Sequence, residues 1–294
     1  MYAASLRVHF LNVGQGDAIL IQSSPGGTAL IDGGPRAAGP GVVTYLKAQG
    51  VGRIDLLIAT HPHADHIGGL VNVLGAFPVA RIIDSGMPHT SDTFSDFLSA
   101  IEKQVLAGGC VYETPESQVA QLAANVTVTV LGPERLASSA NDSSVVCRLD
   151  FGSTSFLFTG DAEEPAERAL ILAPKPLDAD VLKVGHHGSS TSTSAPFLAA
   201  VTPIHAVVSV GTNTFGHPSS ITLNRLTAAG ATVHRTDVAG HIIFESDGES
   251  LQIAVVQGVF ALLIAPAGNW LAVAAAGTAG SPATAKTAWG YQWP

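Results

Sequence analysis

His61-Pro62-His63-Ala64-Asp65-His66 puts three imidazoles and a carboxylate into six consecutive residues, and the rest of the chain is read outward from it. Before it stands Ile54-Asp55-Leu56-Leu57-Ile58-Ala59-Thr60, a mostly apolar run behind Arg53 that reads as a buried strand. After it, Ile67-Gly68-Gly69-Leu70-Val71-Asn72-Val73-Leu74 reads as a helix opening near Asp65. The ligand-type residues therefore fall on a loop at the carboxyl end of a strand, where sheet proteins place their chemistry. Neutral imidazole together with carboxylate suits zinc, manganese or iron. An extended loop can turn His61 and His63 toward one point. Asp65 and His66 begin the next turn and can serve a second, so the spacing predicts two metals close together. The alternative, a His-rich polar surface loop, is at odds with the rarity of histidine and with the strand–loop–helix context.

Composition bounds what such a site can belong to. The chain has 294 residues, 46% of them hydrophobic and 13% charged, with 31 Gly and 17 Pro. That is ample for a large core with many turns. A formal charge of −9 argues against a strong non-specific nucleic-acid binder, and no run of Lys or Arg occurs. A nuclease is still allowed, because metals can hold a phosphodiester. Met1-Tyr2-Ala3-Ala4-Ser5 is too short and polar to be a signal peptide. Cys110 and Cys147 leave a disulfide open, although Cys147 sits in an apolar strand pattern and reads as a buried small hydrophobe.

Other strand ends carry the same kind of residue. Thr28 to Ile31 is a strand ending in Asp32-Gly33-Gly34. Asp32 is either a bare turn residue or a carboxylate that accepts a ligand histidine's N–H and fixes its tautomer. Ser155 to Thr159 ends at Gly160-Asp161, and Leu177 to Val184 ends at Gly185-His186-His187-Gly188-Ser189. Together His61, His63, Asp65, His66, Asp161 and His186 suffice for two ions if one carboxylate bridges them. Asp161, alone after its strand with a glycine before it, is the natural bridge. Helices are expected from Pro40 to Gln49, Ser91 to Ala107, Thr191 to Ala200 and Ser219 to Ala229, and strands close the chain up to Val256. His89 stands alone in its loop and reads as a solvated or hydrogen-bonded histidine.

The hexapeptide with its following Gly-Gly resembles the His-x-His-x-Asp-His signature of the metallo-β-lactamase-fold hydrolases. That resemblance implies an α/β chain folded as a four-layer αββα sandwich with a dinuclear site at one edge. Further stretches resemble the soluble domain of the ComEC-type competence (DNA-uptake) proteins. They are Phe10-Leu11-Asn12-Val13-Gly14-Gln15-Gly16-Asp17-Ala18, Leu30-Ile31-Asp32-Gly33-Gly34, Asn141-Asp142 with Ser144-Val145-Val146, Phe156-Leu157-Phe158-Thr159-Gly160-Asp161, Leu182-Lys183-Val184-Gly185-His186-His187-Gly188-Ser189 and Gly216-His217-Pro218-Ser219. The resemblance runs from about Leu6 to Gly248. It implies a metal-dependent nuclease; related stand-alone domains include phosphorylcholine esterases of cell-wall teichoic acid. No transmembrane segment is expected. The chain departs from the wider superfamily in lacking a further ligand histidine between His66 and Asp161, where only His89 lies, in a different kind of loop. Asn141-Asp142 occupies that place, as in the ComEC-like branch, so one metal is expected to keep fewer protein ligands and more water. Strand register makes His186 the ligand and leaves His187 to contact phosphate or donate a proton.

The parts imply a mechanism. Two divalent ions, zinc or manganese, about 3.5–4 Å apart would share a hydroxide that attacks phosphorus in line, and would take up charge on the non-bridging oxygens. Asp65, His187, His217 and Asp142 are the catalytic candidates, Asp142 as a residue that binds one ion or orients a water. His187, Ser189 and His217 are candidates to hold the phosphate or protonate the leaving alkoxide. Ser189 has a second reading as a helix cap, and His217 as a loop-ordering residue before Pro218. The expected function is a phosphodiesterase or nuclease acting on a phosphodiester such as DNA. Alternatives are a hydrolase of another substrate (a phosphorylcholine ester, a lactone or a β-lactam) and a non-catalytic metal-binding module in DNA uptake. Residues 1–257 are expected to form the hydrolase domain. Residues 258–294 form an apolar, Ala/Gly-rich tail expected to cover a sheet edge or make a subunit contact in a homo-oligomer.

Overall fold

Strand β4 (Leu56–Ala59), which carries the six-residue motif on its carboxyl end, is buried on both faces. Leu56 and Ile58 face a core that also draws on a second sheet, while Leu57 and Ala59 face a core shared with helices. A strand covered on both sides has no solvent face to alternate toward, which is why its sequence is continuously apolar. The computed structural model describes residues 5–115 and 119–256; the expected tail, 258–294, lies outside them.

Among the described residues an eight-stranded sheet runs in the order β15 (Leu251–Val256), β14 (His241–Ser246), β1 (Ser5–Phe10), β2 (Ile19–Ser24), β3 (Thr28–Ile31), β4, β5 (Arg81–Asp84), β6 (Val111–Glu113). A seven-stranded sheet runs β13 (Thr232–Arg235), β12 (His205–Val208), β11 (Val181–Lys183), β10 (Thr154–Phe158), β9 (Val146–Phe151), β8 (Val126–Gly132), β7 (Val119–Ala123). Strands β3 to β6 are mutually parallel, as are β10 to β13. Between the sheets Phe10, Phe156, Phe158 and Phe244 form a ring cluster with centroids 5.9–6.2 Å apart. Helices α1 (Gly39–Ala48), α3 (Leu70–Ala76) and α4 (Asp92–Leu106) pack on the outer face of the first sheet through Val42, Leu46, Val73 and Phe97. Helices α5 (Glu164–Leu172), α6 (Ala195–Val201) and α7 (Ser220–Ala228) cover the second through Leu170, Phe197 and Leu226. The result is the four-layer αββα sandwich expected from the sequence. Each buried Leu, Ile or Phe in it contributes on the order of 1.5–3 kcal/mol of burial.

Some elements differ from the sequence reading. The strand expected over Leu177–Val184 is only Val181–Lys183, and the helix expected from Thr191 starts at Ala195, where Ser194 accepts the Phe197 N–H as its cap. Short edge strands β6 and β7 and a one-turn helix α8 (Thr236–Ala239) were not foreseen; edge strands bury little and carry weak alternation. Cys110 and Cys147 are buried and form no disulfide. No helix among the described residues is long and apolar enough to cross a membrane.

The glycine pairs of the motif have a packing reason. A Cβ on Gly69 would lie 2.0 Å from the Gly33 carbonyl oxygen. The two Gly-Gly turns therefore meet backbone to backbone, laced by Gly33 N–H to His66 O (2.8 Å) and Gly69 N–H to Gly34 O (2.8 Å). Gly34 N–H in turn reaches Asp17 O at 2.7 Å. The loops after β1, β3 and β4 thus form one rigid unit.

Candidate metal centre

The carboxyl ends of β3, β4, β10 and β11 deliver Asp32, His61, Asp161 and the His186-His187 pair to one edge of the sandwich. The short helix α2 (Ala64–Ile67) carries Asp65 and His66 to the same place.

His66 and His187 define one cluster. Asp32, in a left-handed conformation (φ 57°), takes Thr60 N–H at 2.8 Å, Thr60 Oγ1–H at 2.7 Å and His66 Nδ1–H at 2.7 Å. His187 Nδ1–H donates to Ser209 O at 2.9 Å. Both rings therefore have Nδ1 committed as donor, and their Nε2 atoms face each other at 3.3 Å. Asp161 Oδ1 is 3.3 Å from His66 Nε2, Asp161 Oδ2 is 3.5 Å from His187 Nε2, and Asp65 Oδ2 is 3.3 Å from His187 Nε2. Neutral rings would bring two lone pairs together amid carboxylates. A cation between them relieves the conflict: donors about 2.0–2.1 Å from a tetrahedral ion sit roughly 3.3 Å from one another. Asp161 Oδ1 is buried and accepts no hydrogen bond, as a ligand oxygen would.

A second cluster adjoins the first. His61 Nδ1–H donates to Thr60 Oγ1 at 3.1 Å, leaving Nε2 to face His63 Nδ1 at 3.0 Å and Asp161 Oδ2 at 3.7 Å. Asp161 thus stands between the His61–His63 pair and the His66–His187 pair. The donor chemistry of the His66–His187 cluster fits a divalent ion.

The charges agree with that fit. Burial opposes protonation of His66, but Asp161 and Asp32 more than offset it and hold its pKa well above the ordinary value. His187 behaves alike: burial pulls down, and Asp161, Asp65 and Asp17 carry it up. Burial pushes Asp161 upward, but the His187, His66 and His61 rings around it drive it well below the usual carboxylate range. His61, dominated by burial and then by His66, is kept neutral. The carboxylates around the two rings thus favour positive charge between them.

His186 is placed differently. The expectation that it is the ligand and His187 free rests on the strand continuing, but β11 stops at Lys183 and both histidines are left-handed (φ 47° and 52°). The turn sends His187 into the cluster and leaves His186 at the rim. There its Nδ1 meets Glu163 Oε1 at 3.0 Å, and its Nε2 lies 3.8 Å from Asp161 Oδ2. Asp142 is not among the donors: its Oδ1 accepts Glu163 N–H at 3.1 Å and its Oδ2 accepts Ser139 Oγ–H at 3.1 Å. Its neighbour Asn141 faces the site, with Nδ2 3.5 Å from His186 Nδ1. Ser189 does not cap the following helix, which Ser194 caps; its hydroxyl pairs with Thr191 Oγ1 at 2.8 Å and braces the loop. The His217 ring lies 5.2 Å from that of His186, at the rim. His89 packs its ring 5.8 Å from His63.

Two residues the sequence reading passed over stand behind the ligands. Asp17 Oδ1 is 3.6 Å from His187 Nδ1, and Asp17 Oδ2 pairs at 2.7 Å with Lys183 Nζ, a fully buried ammonium that also donates to Val184 O at 2.8 Å. Asp17 lies within 4.8 Å of His66, Asp161 and His187 by nearest donor atoms. It faces the Nδ1 sides of the two histidines, however, whereas Asp65 faces their Nε2 sides and is the better placed of the two carboxylates to share an ion with them. The signal for Asp17 was its place after Gly14 and Gly16 at a strand-connecting turn.

Comparison with known proteins adds to this. The family model described as the metallo-β-lactamase superfamily matches residues 11–211. The chain is 31% identical over 254 residues to ComE operon protein 3 of Bacillus subtilis, covering 80% of this chain and 32% of that protein. It is 32% identical over 236 residues to competence protein ComA of Neisseria gonorrhoeae, covering 79% and 31%. The chain thus spans about a third of the length of these relatives. Among solved structures, Igni18, a metallo hydrolase of Ignicoccus hospitalis, superposes with a TM-score of 0.50 at 14% identity over 82% of this chain and 98% of that one; this likeness is one of fold.

Proposed function

The chain belongs to the metallo-β-lactamase superfamily, and on that premise we propose that it is a metal-dependent phosphodiesterase acting on nucleic acid. The observation that carries this reading is Asp161 standing between two clusters of inward-facing imidazole nitrogens, 3.3 Å from His66 Nε2 and 3.7 Å from His61 Nε2. Residues His66, His187, Asp65 and Asp161 would hold one divalent ion, and His61, His63 and Asp161 the other. Such a pair supplies Lewis acidity and an activated water for in-line displacement at phosphorus. The cluster of His61 and His63 has few protein donors, which leaves room for phosphate oxygens. Similarity to proteins named for competence supports nucleic acid as the substrate.

The chain's own residues then divide the work. Asp32 and the Ser209 carbonyl hold His66 and His187 in the tautomer that presents Nε2. Lys183 offsets the charge of Asp17 behind them. His186, oriented by Glu163, has its Nε2 on the open side of Asp161, where a proton can be handed to a leaving alkoxide. The test is a panel of bis-p-nitrophenyl phosphate, single-stranded DNA, p-nitrophenyl phosphorylcholine and nitrocefin, with manganese or zinc and with chelator. Chelator-sensitive hydrolysis of the first two is expected; turnover of nitrocefin or the choline ester alone overturns the reading.

A further inference from the structure

Beyond the metal clusters, the rim of the site carries an aromatic ring with no structural employment. Phe215 is 72% exposed, in the loop that joins β12 to α7. Loops that merely fail to bury a ring are slack, and this one is not. Asn213 braces it with four hydrogen bonds: Nδ2 donates to Gly211 O and His217 O, both at 2.8 Å, and Oδ1 accepts Phe215 N–H at 3.0 Å and His217 N–H at 3.1 Å. Gly211 is pressed so closely on the 14–15 turn that a Cβ there would lie 2.4 Å from Gly14 C. The ring is therefore presented to solvent by a loop fixed at both ends.

Its position ties it to the chemistry. Phe215 lies 5.8 Å from the His217 ring at a tilt of 33°, and His217 lies 5.2 Å from His186. A second exposed ring, His89, approaches the centre through a different histidine, its Nδ1 2.9 Å from Ser91 Oγ and its ring 5.8 Å from His63. Planar side chains thus reach the centre along two separate ring series, one through His217 and His186 and one through His63.

We propose that Phe215 and His89 are the platforms on which the bases on either side of the scissile phosphate stack. This rests on the phosphodiesterase reading and names what that reading leaves open, which is how a chain of net charge −9 selects a polyanion. Stacking is indifferent to base identity and available only to unpaired bases, so the substrate is an internal diester of a single strand. A quaternary ammonium is the other group that seeks an aromatic face, but it is held by cages of several rings around one point, whereas among the described residues Phe215 has one ring neighbour, His217, and shares no ring contact with His89.

The experiment compares the full chain with Phe215→Ala, Phe215→Trp and His89→Ala. Steady-state kinetics with manganese would use oligothymidylate, the same sequence as a duplex, methyl p-nitrophenyl phosphate and p-nitrophenyl phosphorylcholine. Anisotropy of fluorescein-labelled oligothymidylate with chelated protein gives binding without turnover. Phe215→Ala is expected to raise KM and Kd for the single strand about tenfold, in the range found for loss of one stacked base, with kcat within about twofold. His89→Ala should act in the same direction, Phe215→Trp should restore binding, and the methyl ester should be unaffected. If wild type cleaves the single strand but Phe215→Ala leaves its KM and Kd unchanged, the platform assignment is overturned while the phosphodiesterase reading stands. A loss confined to the choline ester makes Phe215 a cation-binding ring instead. Failure of wild type to hydrolyse any diester removes the parent reading and this one with it.

Discussion

His66 Nε2 and His187 Nε2 face each other at 3.3 Å although each ring has already committed its Nδ1–H, one to Asp32 and the other to Ser209 O. With a divalent ion between them, this arrangement would make metal loading and proton release one event. Both histidines bind protons more tightly than free imidazole because carboxylates surround them. A divalent ion must displace those protons. Titration calorimetry in buffers of different ionisation enthalpy should show release of on the order of one to two protons per protein near neutral pH. The sign follows from the raised pKa values: apparent affinity falls as pH falls, because more proton must be displaced. Affinity independent of pH from 6 to 8 would place the ion elsewhere.

Asp161 should govern both ions. Elemental analysis of metal-loaded Asp161→Asn is expected to show loss of more than one equivalent from a wild-type content near two. Asp142→Asn should keep the metal, since the Asp142 carboxylate serves Glu163 N–H and Ser139. Equal, mild effects of the two substitutions would count against a shared carboxylate.

The two adjacent histidines should separate by phenotype. His187→Ala is expected to strip metal. His186→Ala should retain it and lower kcat by roughly 10²–10⁴-fold, the range typical of general acid–base groups, with a smaller loss for p-nitrophenyl leaving groups, which need little protonation. Metal loss in His186→Ala with full retention in His187→Ala would exchange the assignments.

Lys183 and Asp17 should behave as a unit. Both are buried, at 0% and 1% exposure, and removing one partner of such a pair leaves an uncompensated charge at a cost of about 3–5 kcal/mol. Lys183→Met should lower the urea midpoint of the metal-free protein accordingly, and adding Asp17→Asn should recover much of it. Additive losses in the double variant would mean that the contact carries little.

The C-terminal segment is expected to serve association. Residues 251–285 carry no charged side chain, and the ligand-type residues all lie before residue 188. A chain ending at Gln257 should keep diester hydrolysis and change its elution on a sizing column. Loss of activity with metal retained would instead make the segment part of the substrate site.

Much of this was legible in the sequence because parallel strands buried on both faces write continuous apolar runs, and β4 and β10 end those runs on His61 and Asp161. The Gly-Gly turns beside Asp32 and His66 were equally visible, and their mutual contact explains them. What stayed hidden had physical causes. The order of His186 and His187 depends on two left-handed residues, a conformation that histidine visits more often than most side chains but that remains uncommon, so the sequence does not announce it. Lys183 sits inside an apolar strand, where a lone cation gives no hint of its partner, because Asp17 is 166 positions away and is joined to it only by the packing of the two sheets. Phe215 was unremarked because a single aromatic in a loop has no periodicity; its meaning lies in the brace that keeps it outside.

The donors also come from different halves of the chain. His61, His63, Asp65 and His66 follow a strand of one sheet, and Asp161 and His187 follow strands of the other. Ions held between them would act as a clasp across the seam of the sandwich, linking positions far apart along the chain. The cofactor would then govern lifetime as well as chemistry: the loaded molecule must release the clasp before its halves can part, and its resistance to proteases would rise with free ion in step with the ligand term of its folding equilibrium.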